Sequence, residues 1–175
     1  MLKTLGIIVA LLIAGILIFA ATKPDTFRVQ RSASIKAPPE KVFALINDFK
    51  AWGAWSPWEK KDPAMKRTFG AITVGKGAHY AWDGDKNVGQ GSMEITESVP
   101  SSKLALKLDF LKPFEAHNFV EFTLAAQSDT TNVTWTMHGP ANFMSKLMQV
   151  FMSMDSMVGK DFESGLANLK AAAEK

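Results

Sequence analysis

From Lys66 to His138 the chain keeps a period of two, and this limits its fold more than any other feature. Alternation sends successive side chains to opposite faces of a strand. It predicts strands near 66–70, 77–83, 90–98, 103–111, 117–126 and 131–138. The connections carry turn residues: Gly75 and Gly77, the run from Asp83 to Asn87, Pro100-Ser101-Ser102, Lys112-Pro113 and Ser128-Asp129-Thr130. Links this short join antiparallel neighbours, because parallel pairing needs a long crossover. Upstream, TFRVQRSASIKA also alternates, with Phe27, Val29, Ala33 and Ile35 on one face and Arg31 interrupting it. That makes a seventh strand.

Helical periodicity occurs in two places. Pro38-Pro39-Glu40 opens a short helix, since proline suits a first turn and an acidic residue suits a helix N-terminus. Val42, Phe43, Leu45 and Ile46 give it an apolar face, and Asn47-Asp48 end it. A second short helical turn or a loop carries Trp52 and Trp55. After Gly139-Pro140, apolar residues from Phe143 through Leu147, Phe151, Met154, Phe162 and Leu166 to Leu169 form one stripe. This predicts a single helix of about 30 residues, by its period of 3.6. The order is strand, two short helices, six strands and one long helix. A seven-stranded antiparallel sheet cannot bury a face alone, and the C-terminal helix is the only element sized to cover it. The expected class is α+β, a curved sheet wrapped on a long C-terminal helix, over residues 26–174.

Residues 1–22 stand apart. Leu5 to Ala21 reads LGIIVALLIAGILIFAA, without a charge or a proline, between Lys3 and Lys23. A cleaved signal has an apolar core of about 7–15 residues and a small-x-small site. A spanning helix needs about 17–25 residues. The run reaches the span length, and bulky Ile18 and Phe19 precede the weak cleavage site at Ala20 and Thr22. An uncleaved transmembrane anchor is therefore favoured over a signal sequence. A buried soluble helix would show a polar face, and this run has none. The expectation is a single-pass protein of a bacterial inner membrane, held through residues 5–21. Lys3 and the amino terminus on one side, against Lys23, Arg28, Arg31 and Lys36 on the other, leave the side of the soluble part open.

Strand alternation names the side chains between sheet and helix. Tyr80, Trp82, Met93, Ile95, Leu108, Phe122 and Trp135 share the inner face, and the helix adds Met148 and Phe151. Tyrosine and tryptophan bring polar tips to such a lining, and methionine adapts to more than one shape. Plain core packing is the bland alternative for most of them. WGAWSPWEKKDP holds three of the chain's 5 tryptophans, Trp52, Trp55 and Trp58. Trp52 and Trp55 can turn inward together on one helical turn, while Pro57 sets Trp58 separately. Trp55 and Trp58 are thus candidates for the end-wall of an apolar cavity.

Much chemistry is missing from this list. His79, His117 and His138 are dispersed and there are 0 cysteines, so no metal and no cofactor is expected. No GxSxG or GxxxxGK[ST] motif occurs. The formal net charge is only +3 and the longest basic run is Lys60-Lys61, which excludes a nucleic-acid-tracking surface. No catalytic constellation emerges. Glu59 and Asp155 are the two carboxylates set beside apolar residues, where desolvation raises a pKa. Solvated or capping roles are the commoner reading for both.

APPEKVFALINDFKAWGAWSPWEKKDP, VGQGSMEITES, VTWTMHG and MDSMVGKDFESGLANLK together resemble bacterial SRPBCC proteins. These form the START-like superfamily of polyketide cyclase/dehydrase and lipid transport type, and the resemblance covers residues 27–172. It implies a helix-grip (START/Bet v 1-like) fold with a hydrophobic cavity between sheet and long helix. Members bind lipids, sterols, polyketides or hormones, some catalyse cyclisation or dehydration, and a related branch activates a chaperone ATPase. No motif here matches the catalytic residues of any branch. The expected function is membrane-tethered binding, with or without transport, of a hydrophobic small molecule or lipid. The alternatives are a cyclase- or dehydratase-like enzyme on an aromatic or polyketide-like substrate, needing Tyr80, Glu59 or Asp155 as acid or base, and an interaction module with a vestigial cavity.

Overall fold

The computed structural model describes residues 2–175. Helix α1 (Leu2–Ala21) leads into strand β1 (Thr26–Ile35), then α2 (Pro39–Asn47), a 3-10 turn (Phe49–Ala54) and a short α3 (Trp58–Lys61). Six strands follow: β2 (Lys66–Phe69), β3 (His79–Asp83), β4 (Gln90–Val99), β5 (Lys103–Lys112), β6 (Ala116–Gln127) and β7 (Thr130–Pro140). The chain closes with α4 (Phe143–Phe151) and α5 (Met154–Ala173). The seven strands make one antiparallel sheet in the order β1-β7-β6-β5-β4-β3-β2. Short turns make each of β2 to β6 pair with its successor. β1 is the exception: it skips the helices and pairs with β7, Val29 opposite Met137 and Ala33 opposite Val133.

The architecture is the helix-grip arrangement, with one correction. The apolar stripe after Pro140 is carried by two helices, not one. Met152 takes an extended conformation, and Ser153 caps α5 by accepting from the Ser156 amide. Asn142 caps α4 in the same way through Ser145. An amide or hydroxyl acceptor on the first free N–H groups is what starts a new helix. α5 alone grips the sheet, packing on β1 with Phe162, Leu166, Leu169 and Ala173 buried, whereas α4 buries no residue. Packing of α5 is close at two glycines, tightest against the fixed Trp135 ring at Gly165 and against the movable Arg31 tip at Gly159. A Cβ on Gly165 would stand 2.7 Å from the Trp135 ring, and one on Gly159 would stand 2.3 Å from Arg31 Nη2.

α1 is long and apolar enough to cross a membrane by length and composition. A signal sequence would pass the same test. Of its residues only Ala20 is buried, so it does not serve as a core helix of the folded part.

Candidate functional site

The inner face of the sheet is built from the residues that alternation predicts. Tyr80, Trp82, Met93, Ile95, Val120, Phe122, Leu124, Val133, Trp135 and Met137 are all buried in one core. Its centre is a stack of rings. Trp55 meets Phe122 and Trp135 edge-on at 6.0 and 5.6 Å, and Trp135 lies flat on Phe162 at 4.2 Å. Such aromatic pairs add to plain burial. They occupy the middle of the grip with side chains.

The tryptophan cluster closes the end near α2. Trp52 and Trp55 turn inward with ring centroids 4.7 Å apart. Their indole N–H groups donate to the Ile46 and Leu45 carbonyls at 3.0 Å each, tying the 3-10 turn to the last turn of α2. Those carbonyls belong to a helix C-terminus, where backbone acceptors lack intrahelical partners. Asn168 Nδ2 donates to the Trp55 carbonyl at 3.1 Å and adds α5 to the joint. Trp58 is half-buried, edge-on to Trp135 and Phe162.

The opposite end, where β7 runs into α4, is covered less. Along β5, Leu104 and Leu106 are buried but Leu108 and Phe110 are only half-covered. Phe27, Met154 and Val158 are half-covered as well. Met148 and Phe151, expected on the inner face, lie exposed on α4 instead. The break at Met152 turns α4 off the line that α5 follows, so the stripe does not stay on one face.

Two carboxylates were singled out from sequence, and the structure treats them differently. Glu59 is the enclosed one, its side chain 11% exposed. It accepts from Tyr80 Oη at 2.8 Å and from Arg67 Nε at 2.6 Å. Burial, then the bond to Glu59, pushes the Tyr80 phenol well above its ordinary 10.0, so it holds its proton and donates. Phenol, carboxylate and guanidinium thus clamp α3, β2 and β3 together. Asp155 is exposed and its pKa moves down, against the direction that desolvation would impose. The Arg31 guanidinium causes this, donating to both Asp155 oxygens at 2.7 and 3.0 Å and to Glu163 at 2.7 Å. Arg31, the residue that interrupts the inner series of β1, spans one face of α5 over Gly159.

Two residues escaped the sequence reading. Arg67 shares the β2 inner face with Phe69, opposite Trp82 and Tyr80, and a cation at such a position signals a buried acid. Asn118 continues the inner series Val120, Phe122, Leu124 by two residues toward α4. Its Oδ1 and the Trp135 Nε1 are buried without a hydrogen-bond partner, as is Gln149 Nε2 on α4. Two open concavities are lined mainly by the outer face of the sheet. One of about 610 Å³ is lined by Arg28, Phe119, His138 and Pro140, and another of about 210 Å³ by Lys66, Asp83, Ser92 and Leu111. Among the described residues, no group of three or more His, Cys, Asp or Glu is placed to hold a metal.

The profile of the family described as polyketide cyclase/dehydrase and lipid transport matches residues 26–174. No curated protein matches the chain. Solved structures share its fold at low identity. A Chromobacterium violaceum protein is 17% identical with a TM-score of 0.60, over 87% of this chain and 99% of its own. A Helicobacter pylori protein is 11% identical with a TM-score of 0.66, over 89% and 92%. The Aha1 dimer of Colwellia psychrerythraea is 17% identical with a TM-score of 0.57, over 85% and 96%.

Proposed function

The chain belongs to the polyketide cyclase/dehydrase and lipid transport family, and from that premise we propose that it binds a hydrophobic small molecule or lipid between sheet and C-terminal helices, tethered to a membrane by α1. The observation that carries this reading is the uneven cover of one continuous apolar lining. Leu104 and Leu106 are sealed, whereas Leu108, Phe110 and Phe27 on the same sheet face are half-open. An apolar ligand gains by covering such surface, at roughly 25 cal/mol per Å². Trp55, Trp82, Met93, Phe122 and Trp135 would form the deeper wall, with Tyr80 held protonated beside it. Unpartnered buried polar atoms each cost about 1–3 kcal/mol. Asn118 Oδ1 and Trp135 Nε1 therefore suit a ligand with a polar group as well as an apolar body.

The test is native mass spectrometry of the full chain extracted in mild detergent, with identification of co-purifying lipid. A bound apolar molecule is expected, and Leu108→Trp, which fills the half-open end, should lower the occupied fraction. A bare chain, even after incubation with a bacterial lipid extract, overturns the proposal. A second reading, an interaction module with a filled interior, is favoured by the Trp135–Phe162 stack at 4.2 Å. It predicts that bare mass.

A further inference from the structure

Helix α4 has an apolar face that the protein does not cover. Phe143, Met144, Leu147, Met148 and Phe151 recur at i, i+1, i+4, i+5 and i+8, which places them on one side of a helix. Phe143 and Met144 are each 49% exposed, Met148 37% and Phe151 74%. Met152 and Met157 carry exposed apolar surface on past the helix. The only charged residue of α4 is Lys146, and it pairs with Asp25 in the link between α1 and β1.

What covers this face follows from its neighbour. α4 packs against α1. Along α1 the covered positions are Ile16 and Ala20, one turn apart, and every other described residue is exposed. At about 1.5 Å per residue, Ile16 to Ala21 is the last ~8 Å of a span of ~30 Å. A helix held beside those turns lies where acyl chains meet headgroups. Lys23, 4.5 Å from the Phe19 ring centroid, ends the span with an aromatic and a cation, as expected at that level. Amphipathic helices seat there with their apolar side about 5–10 Å deep.

We propose that α4 docks its Phe143–Met148–Phe151 face into the lipid bilayer beside the end of α1, so that the half-open end of the grip faces the membrane. This rests on reading α1 as an uncleaved span. The bilayer is then the occupant of the face, and a hydrophobic ligand passes between membrane and grip without crossing water.

The chain contains no cysteine, so single-cysteine variants report one site each. The full chain is reconstituted into vesicles of phosphatidylethanolamine and phosphatidylglycerol and spin-labelled at Leu12→Cys, Met148→Cys, Phe151→Cys or Lys107→Cys. Collision with oxygen, which partitions into lipid, is compared with collision with a water-soluble nickel chelate. The expected result is oxygen preference at 12, 148 and 151, and nickel preference at 107 on the outer sheet face. Oxygen preference at 12 with nickel preference at 148 and 151 overturns the docking and leaves the anchor standing. Labels at 148 and 151 shielded from both reagents indicate a second protein chain on the face and also overturn it. Nickel preference at 12 removes the anchor, and the proposal falls with it.

Discussion

Tyr80 shows how one side chain's surroundings decide its chemistry. It is the only tyrosine in the chain, buried on the inner face and donating to Glu59, which Arg67 neutralises. Alternation places Tyr80 inward, but the pairing of Glu59 depends on how α3 packs against β2 and β3, which no side-chain period encodes. Because the folded chain holds the phenolic proton more tightly than the unfolded chain does, the resulting stability is full below pH 10.0 and falls as pH rises beyond it. Tyrosinate absorbance should therefore stay absent through the ordinary range and rise only together with unfolding. Ionisation at the ordinary pH in a protein still folded by circular dichroism would contradict the clamp. Asp155 gives the opposite lesson. Its sequence neighbours suggested desolvation, yet an arginine 124 positions away sets its charge.

The break between α4 and α5 divides what looks like one helix into a gripping part and a free part. Ser153 makes the break possible by supplying an acceptor for the first turn of α5. Ser153→Ala should lower stability by about 1 kcal/mol, the usual worth of such a cap, measured by chemical denaturation of the detergent-solubilised chain. No loss would mean that packing of Phe162 and Leu166 alone positions α5. The split also explains why Met148 and Phe151 misread as lining. A stripe at period 3.6 identifies a helix face, but the partner of that face depends on where the axis points, and the axis changes at Met152.

Across the molecule, an apolar N-terminal helix and a helix-grip fold are joined by four residues, Thr22 to Asp25. With so short a link, the α4 end of the grip stays at the level where α1 ends. If α1 is an anchor, the chain recovered from membranes has the full mass of 19.2 kDa and resists alkaline extraction. A product shorter by about 20 residues, the length of a signal segment, would mark α1 as cleaved.

Period-two alternation from Lys66 to His138, the short turns and the charge-free run from Leu5 were enough to set the neighbours among β2 to β7, the inner face of the sheet and the apolar N-terminal helix. These are local properties, because burial imposes its period on the strand that is buried. Tertiary structure alone decided that β1 closes on β7, that Arg31 reaches Asp155 and Glu163, that rings fill the centre of the grip, and that α4 lies against α1 with its Phe143–Phe151 face open. Each of those depends on residues far apart in the chain meeting in space, and on the direction a chain takes after a break, which side-chain periodicity does not record.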